Sequence, residues 1–118
     1  MDEVNQHTIL NKLVRDCMSC DPRFDGRRVE GIFCNYYEDG SNYTPYHQDS
    51  YGGNVLTVSF GGSRDLLVKP IEGGKSDKYT CEDGDIVVFS EQWDFKNKHS
   101  IPKRSKGEPR ISIVLFFE

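Results

Sequence analysis

The sequence has no apolar run that approaches the length of a transmembrane helix, so nothing in it predicts a membrane span. It has no basic and apolar leader either, because Met1-Asp2-Glu3 is unlike the start of a secretory signal peptide. An excess of positive charge is also missing, since the formal net charge is −4. This balance argues against a protein that binds nucleic acid through its overall charge, and leaves room for a local basic groove. Together these absences predict an intracellular protein, cytoplasmic or nuclear, with no membrane partner.

The cysteines are few and have no secretory context. Cys17, Cys20, Cys34 and Cys81 are therefore interpreted as free intracellular thiols rather than disulfides. The Cys17-x-x-Cys20 spacing alone is weak support for zinc, and Cys34, Cys81 or His7 would have to complete such a site. Buried or incidental thiols are the simpler interpretation.

No repeat and no low-complexity tract interrupts the chain, and its 118 residues suit a single domain with one core. A content of 36% hydrophobic and 12% aromatic residues is typical of a folded protein. We predict one domain over residues 1–118, with a helix and a turn in residues 1–27 and a jelly-roll core in residues 28–118.

The apolar residues of 4–18 recur largely at helical spacing, which predicts an N-terminal α-helix, and Asp21-Pro22 to Gly26 is typical of a turn. Beyond it, short β-branched and aromatic runs alternate with clusters of Gly, Asp, Asn and Lys. The predicted strands are 28–37, 46–49, 55–60, 65–70, 78–81, 85–89, 98–101 and 110–117. One helix followed by about eight strands favours a mainly β fold, a β-sandwich or jelly roll.

The last predicted strand has two unlike faces. The first is apolar and is predicted to pack against a neighbouring layer; its residues are Ile111, Ile113, Leu115 and Phe117. The second begins with a charge and is predicted to line a cavity; its residues are Arg110, Ser112, Val114 and Phe116. Asn35 and Tyr37 also share a face, and their amide and phenol can hydrogen-bond a small acid.

The ordered set His47-Gln48-Asp49, His99 and Arg110 is the most specific chemical pattern in the chain. Two imidazoles and one carboxylate are the ligands of a non-haem Fe(II) facial triad, which leaves open positions for a 2-oxo acid and O2. Arg110 offers a planar fork that can pair with a carboxylate. The alternative for Arg110 is a salt bridge to Asp or Glu.

Several segments together resemble the AlkB-like Fe(II)/2-oxoglutarate dioxygenases. Asn35-Tyr36-Tyr37-Glu38-Asp39-Gly40, leading to His47-Gln48-Asp49, is similar to the N-x-Y-x-x-G…H-x-D signature of that family. The other similar segments are Val58-Ser59-Phe60-Gly61, Arg64-Asp65-Leu66, Glu82-Asp83-Gly84-Asp85-Ile86-Val87-Val88, Lys98-His99-Ser100-Ile101-Pro102 and Pro109-Arg110-Ile111-Ser112. The resemblance covers roughly residues 28–117.

The resemblance implies a double-stranded β-helix with iron held by His47, Asp49 and His99. It also implies 2-oxoglutarate bound by Arg110 and Tyr37, with help from Asn35 and Ser112. The implied reaction consumes O2, converts 2-oxoglutarate to succinate and CO2, and hydroxylates a substrate C–H bond. Hydroxylation of an N-methyl group would release formaldehyde. The implied task is oxidative demethylation of alkylated nucleobases in DNA or RNA, preferably single-stranded or with the base flipped out.

The chain departs from the family pattern in three places. Phe116 stands where the family usually has a second arginine, and Tyr51 stands where nucleic-acid repair members often have an acidic residue. The long N-terminal nucleotide-recognition lid has no counterpart in the 34 residues before Asn35. Two alternatives therefore stay open: a protein or small-molecule hydroxylase with the same metal chemistry, and a non-catalytic metal-binding jelly roll. A protein partner or an oligomer also stays open.

Three further groups of residues have a functional and a structural interpretation. Aromatic and amide side chains could line the substrate mouth or simply pack; they are Tyr43, Tyr46, Gln48, Tyr51 and Trp93. A basic tract around His99 could attract phosphates or be a solvated loop; it comprises Lys96, Lys98, Lys103, Arg104 and Lys106. Arg64-Asp65 could be an internal ion pair or a substrate contact.

Overall fold

Two four-stranded antiparallel sheets face each other, and a helix covers the outside of one of them. The computed structural model describes residues 8–49 and 53–117. Its helices are α1 (Thr8–Ser19) and α2 (Glu91–Lys96), and a 3-10 turn spans Pro22–Phe24. Its strands are β1 (Val29–Tyr37), β2 (Thr44–His47), β3 (Asn54–Gly61), β4 (Arg64–Pro70), β5 (Asp77–Cys81), β6 (Ile86–Phe89), β7 (Asn97–Ile101) and β8 (Arg110–Phe117).

The strand order is that of a double-stranded β-helix. Sheet I has the order β1-β8-β3-β6, and sheet II has the order β2-β7-β4-β5. The chain changes sheet after every strand except β4, so the two sheets are wound together rather than built one after the other. The predicted mainly β jelly roll with an N-terminal helix is confirmed.

All eight predicted strands are present, with shifted ends. The largest shift is in β2, which was predicted over 46–49 and spans Thr44–His47, so Asp49 lies beyond the strand. The strand was predicted to start after Pro45 because proline is unfavourable within a strand. Proline is tolerated here because β2 is an edge strand. Residues 4–7 of the predicted helix lie outside the described residues, and so does His7.

Two short helical segments were not predicted. Asp21 begins the 3-10 turn inside the predicted turn, because its side chain accepts the Arg23 backbone N–H and Pro22 follows it. Ser90 begins α2 in the same way, by accepting the Trp93 backbone N–H at 3.1 Å. Neither helix of the described part is long and apolar enough to span a bilayer.

Helix α1 and the 3-10 turn pack on the outer face of sheet I. This outer core joins Val14, Cys17 and Phe24 to four strand residues, which are Leu56, Val58, Leu115 and Phe117. The apolar face predicted for the last strand is thus buried at its Leu115 and Phe117 end. Ile111, at the other end, is 43% exposed, so the prediction was wrong there: α1 covers only part of this face.

The inner core lies between the sheets and leaves a polar region at one side. Its buried residues are Tyr37, Val55, Leu66, Val68, Cys81, Phe89 and Ile101. Gly61 ends β3 opposite Arg110 and has a positive φ of 92°, a conformation that favours glycine. A Cβ at this position would collide with the Pro109 carbonyl oxygen, so only glycine allows the two strands to approach so closely. This close pairing sets the start of β8 and the place of Arg110 between the sheets.

Candidate metal centre and adjoining cavity

The three predicted metal ligands converge at one end of the space between the sheets. His47 ends β2 and pairs directly with His99 of β7, while Asp49 follows two residues later. The Nε2 atoms of His47 and His99 lie 3.5 Å from Asp49 Oδ1 and Oδ2, respectively. One ligand atom from each residue lies within 4.8 Å of the others. Within residues 8–49 and 53–117, this is the group of His, Cys, Asp and Glu side chains that is arranged to hold a metal ion.

The two imidazoles differ in how readily they are protonated. His47 Nδ1 lies 2.8 Å from the Pro45 carbonyl oxygen; if Nδ1 carries the proton, the Nε2 lone pair faces the centre. Burial lowers the pKa of His99 to about 4, with Asp49 opposing the shift, so this ring is neutral near pH 7. The facing Asp49 carboxylate raises the pKa of His47, so protons compete with a metal there. Two imidazole nitrogens and a carboxylate fit the donor set of Fe(II).

Helix α2 holds the segment that carries Asp49. The Asp49 backbone N–H donates to Asp94 Oδ1 at 3.2 Å. Gln48 Nε2 donates to the carbonyl oxygens of Asp94 at 2.8 Å and Phe95 at 3.2 Å. Asp94 is buried, and that burial raises its pKa. The sequence interpretation placed Gln48 at a substrate mouth and missed Asp94; the signal available was Ser90 followed by acidic residues in a helical first turn.

A cavity of about 290 Å³ adjoins the triad and lies between the two sheets. All seven predicted site residues line it: Asn35, Tyr37, His47, Asp49, His99, Arg110 and Ser112. The predicted cavity face of the last strand is confirmed, because Arg110, Ser112, Val114 and Phe116 all contribute to the wall. The His47 side chain is 36% exposed and Arg110 is 2% exposed, so the cavity wall reaches solvent at His47 and is buried at Arg110. Phe33, on the same wall, is also exposed.

Arg110 is a buried cation with spare hydrogen-bond donors. Its Nη2 donates to Ser59 Oγ at 2.8 Å, whereas its Nε and Nη1 have no partner. In the part of the chain that the structure describes, no Asp or Glu lies within 4.0 Å of Arg110, so the alternative of a salt bridge is not supported. A buried, uncompensated guanidinium is costly, and a planar carboxylate would satisfy its two free nitrogens. Ser59 was not predicted, although it is a polar residue within an otherwise apolar strand.

Tyr37 lies between two guanidiniums. Its ring centroid is 5.0 Å from Arg110 Cζ and 5.2 Å from Arg64 Cζ, and its hydroxyl lies 2.7 Å from Thr44 Oγ1. Arg64 is fully buried and donates to three backbone carbonyls, those of Asp39, Asn42 and Pro102. It therefore ties the β1–β2 and β7–β8 connections together, beside Tyr37. Asp65 instead pairs with the Thr80 hydroxyl, so Arg64-Asp65 is not an ion pair within itself.

Two further residues singled out in the sequence, Trp93 and Phe116, lie near this centre. Trp93 stacks on Phe89 with ring centroids 4.4 Å apart, and Phe89 packs against the His99 ring at 4.7 Å. Trp93 therefore contributes to the packing around His99 through Phe89. Phe116 meets Phe33 edge to face at 5.3 Å along the cavity wall. Tyr51 lies outside the described residues.

The four cysteines are free thiols. Cys17 and Cys81 are buried, and Cys20 and Cys34 are exposed. Among the residues placed by the structure, Cys17 and Cys20 are not grouped with a third possible metal ligand, and His7 lies outside those residues.

The comparisons with known proteins support the fold. No protein-family profile matches the chain. An uncharacterized protein of Acanthamoeba polyphaga mimivirus is 32% identical over 95 residues, which cover 75% of this chain and 50% of that protein. The chain thus spans about half the length of the curated relative that it matches.

Solved structures with the same fold include OsALKBH1, a 2OG-Fe(II) oxygenase family protein and a cupin domain. OsALKBH1 has a TM-score of 0.69 and 16% identity, over 93% of this chain and 63% of that chain. A 2OG-Fe(II) oxygenase family oxidoreductase from Burkholderia pseudomallei has a TM-score of 0.65 and 15% identity, over 92% and 58%. The CENP-C cupin domain of Drosophila melanogaster has a TM-score of 0.55 and 9% identity, over 75% and 57%. At these identities the likeness shows the fold alone.

Proposed function

We propose that this chain is an Fe(II)/2-oxoglutarate-dependent dioxygenase. The observation that carries the proposal is that one cavity joins a His-Asp-His centre to a buried arginine with two unpaired nitrogens. A metal site alone would need no such cation, and a packing arginine would need no metal site. The AlkB-like motifs and the fold shared with OsALKBH1 and a 2OG-Fe(II) oxygenase support the same chemistry.

The seven predicted site residues and Ser59 have separate parts in this proposal. His47, Asp49 and His99 would hold Fe(II), which with O2 supplies the oxidising power for C–H hydroxylation as 2-oxoglutarate is decarboxylated. Arg110 pairs with the far carboxylate of the cosubstrate and is itself oriented by Ser59. The hydroxyls of Tyr37 and Ser112 and the amide of Asn35 offer further hydrogen bonds to the acid.

The proposed reaction is oxidative demethylation of alkylated nucleobases in DNA or RNA. Support comes from the AlkB-like motif set over residues 28–117 and from the exposure of the cavity wall at His47, which a base unstacked from a single strand can approach. Hydroxylation of an N-methyl carbon gives a hemiaminal, whose C–N bond breaks to release formaldehyde and the unmethylated amine.

The test measures succinate and formaldehyde formation with Fe(II), ascorbate and 2-oxoglutarate, with and without an N-methylated oligonucleotide. His99→Ala is the inactive variant, and Gln92→Ala, on an exposed position of α2, is the control. We expect succinate that needs His99, increases with the oligonucleotide, and is accompanied by formaldehyde. Succinate that needs His99 but ignores the oligonucleotide would reject demethylation and indicate a protein or small-molecule hydroxylase.

A non-catalytic metal-binding module is the second candidate, and Phe116 is the observation that favours it. This residue lines the cavity at the position where the similar oxygenases usually have a second arginine. The shared fold of the CENP-C cupin domain leaves this candidate open. Stoichiometric metal binding that depends on His99, without succinate under any condition, would favour the module over the enzyme.

A further inference from the structure

Three lysines and two tyrosines lie on sheet II and on two connections beside it, the one that precedes β2 and the one that follows β7. We call this group the cationic strip; its residues are Tyr43, Tyr46, Lys69, Lys98 and Lys103. The Tyr46 ring centroid lies 4.3 Å from Lys69 Nζ and 5.7 Å from Lys98 Nζ. The Tyr43 ring centroid lies 4.6 Å from Lys103 Nζ. The Tyr46 hydroxyl is held 2.7 Å from Ser76 Oγ, which fixes the ring on this surface.

The lysines of the cationic strip lie close together and form no salt bridge within the described residues. Lys69 and Lys98 stand directly opposite each other on β4 and β7, and like charges in that position destabilise a sheet. Within the described ranges, none of the three strip lysines has a carboxylate within 4.0 Å. The aromatic rings offset only part of the repulsion. A chain with a net charge of −4 has thus gathered unpaired positive charge on one surface, which an anionic partner would neutralise.

The cationic strip lies directly behind the candidate metal centre. Lys98 precedes His99 on β7, and strand alternation places neighbouring side chains on opposite faces of the sheet. The Tyr46 ring lies on the same face as Lys98, which it contacts. Strand β2 is an edge strand, and its Thr44 and His47 line the cavity on the inner side. An anionic chain lying along the strip would therefore run beside the β2 edge of sheet II. A side group of that chain could reach across this edge to the cavity at the exposed His47.

We propose that the cationic strip binds the phosphate backbone of a single-stranded nucleic acid. That this nucleic acid carries the substrate base rests on the proposed function. Its binding to the cationic strip does not depend on that function. Lysine ammonium groups are point charges that suit phosphate, while planar carboxylates are better matched by arginine forks. Lysines beside tyrosines are the combination that single-strand binding surfaces use, because backbone charge and base stacking are read together. These features favour a nucleic acid over an acidic peptide.

The test is fluorescence anisotropy of a short labelled oligothymidylate against salt concentration, with no 2-oxoglutarate present. The strip variant is the double substitution Lys69→Gln and Lys98→Gln. The control is Lys12→Gln with Arg15→Gln, which makes the same change in net charge on α1, at the opposite layer. Thermal unfolding of both variants verifies folding; we expect no loss for the strip variant because a repulsive pair is removed.

We expect the unmodified protein to bind, and the strip variant to bind about tenfold more weakly or worse than the control. Losing two phosphate contacts should also reduce the magnitude of the log–log salt slope by about 1.4. Equal weakening in both variants, no binding by the unmodified protein, or equal competition by polyglutamate would each overturn the proposal. Succinate formation without oligonucleotide tests the oxygenase proposal alone, because it does not depend on this surface. Failure of one proposal can therefore be distinguished from failure of the other.

Discussion

At the residue scale, the most informative side chain is Arg110. It is 2% exposed, and Nε and Nη1 lack partners while Nη2 is bonded to Ser59. A fold selected for stability alone would replace such a cation by an apolar residue, because replacing buried charges with well-packed apolar groups is often neutral or stabilising. The unpaired nitrogens are therefore better explained by an anionic ligand than by packing.

We predict that Arg110→Met separates stability from ligand binding. The ligand-free variant should be as stable as the unmodified protein or more stable, because an uncompensated buried charge is removed. At 2-oxoglutarate a hundredfold above its Kd, the unmodified metal-loaded protein should gain about 2.7 kcal/mol, and the variant should gain almost none. Denaturant unfolding with and without the acid measures both effects, and Arg15→Met on α1 serves as the control. Undiminished stabilisation of the variant would remove Arg110 from the acid site.

His99 gives a pH dependence of known sign. Its pKa is lowered by burial to about 4, so between this value and about 6.5 the unfolded chain binds the proton and the folded protein does not. The contribution of His99 to stability is therefore complete above pH 6.5 and is lost as the pH falls toward 4, by about 3 kcal/mol. His47, whose pKa is raised, acts in the opposite direction. We predict that metal-free His99→Gln loses less stability than the unmodified protein between pH 7 and pH 4; parallel curves would contradict this.

At the element scale, α2 is a short helix whose main role is to place a loop. The sequence predicted every strand, because alternation and turn residues are local signals, but it did not predict α2. The position of Asp49 depends on hydrogen bonds that join Gln48 and Asp49 to Asp94, which lies 45 residues after Asp49 in the sequence. A local pattern cannot reveal such contacts, so the residues of the triad were predictable and the support that aligns one of them was not.

We predict that Gln48→Ala weakens metal binding without unfolding the protein. The substitution removes the two hydrogen bonds that join the Asp49 segment to the α2 carbonyls. Loss of outer-shell support of this kind typically costs about tenfold or more in metal affinity. A calorimetric titration with Mn(II) measures the change, and Gln92→Ala on the same helix is the matched control. Equal affinities in the two variants would mean that α2 does not position Asp49.

Strand β8 permits a test of the α1 layer with a control on the same strand and face. Leu115 is fully buried against the α1 layer, whereas Ile111 is 43% exposed. Leu115→Ala should lower the free energy of unfolding by about 2–5 kcal/mol, because it leaves a cavity in the outer core. Ile111→Ala should cost less than about 1 kcal/mol. Similar losses measured by urea unfolding would show that α1 does not seal this half of the sheet.

At the scale of the whole molecule, the double-stranded β-helix brings residues that are far apart in sequence to the wall of one cavity. Strands from both sheets contribute to one cavity: β2 and β7 bring His47 and His99, and β8 brings Arg110. The fold and these residues were predictable, because H-x-D, a later histidine and an arginine at the head of a strand are visible in order. The Arg64 contacts to three carbonyls and the cationic strip were not, since both depend on which strands become neighbours.

We propose that the triad and Arg110 form one site that binds a metal and a 2-oxo acid together. A calorimetric titration of 2-oxoglutarate into anaerobic, Fe(II)-loaded protein tests this, repeated with metal removed and with His99→Ala, Arg110→Met and the double variant. We expect binding that is lost without metal and strongly weakened in each single variant, with the double variant little worse than either. Binding that persists without metal, or that is unaffected by Arg110→Met, would contradict it.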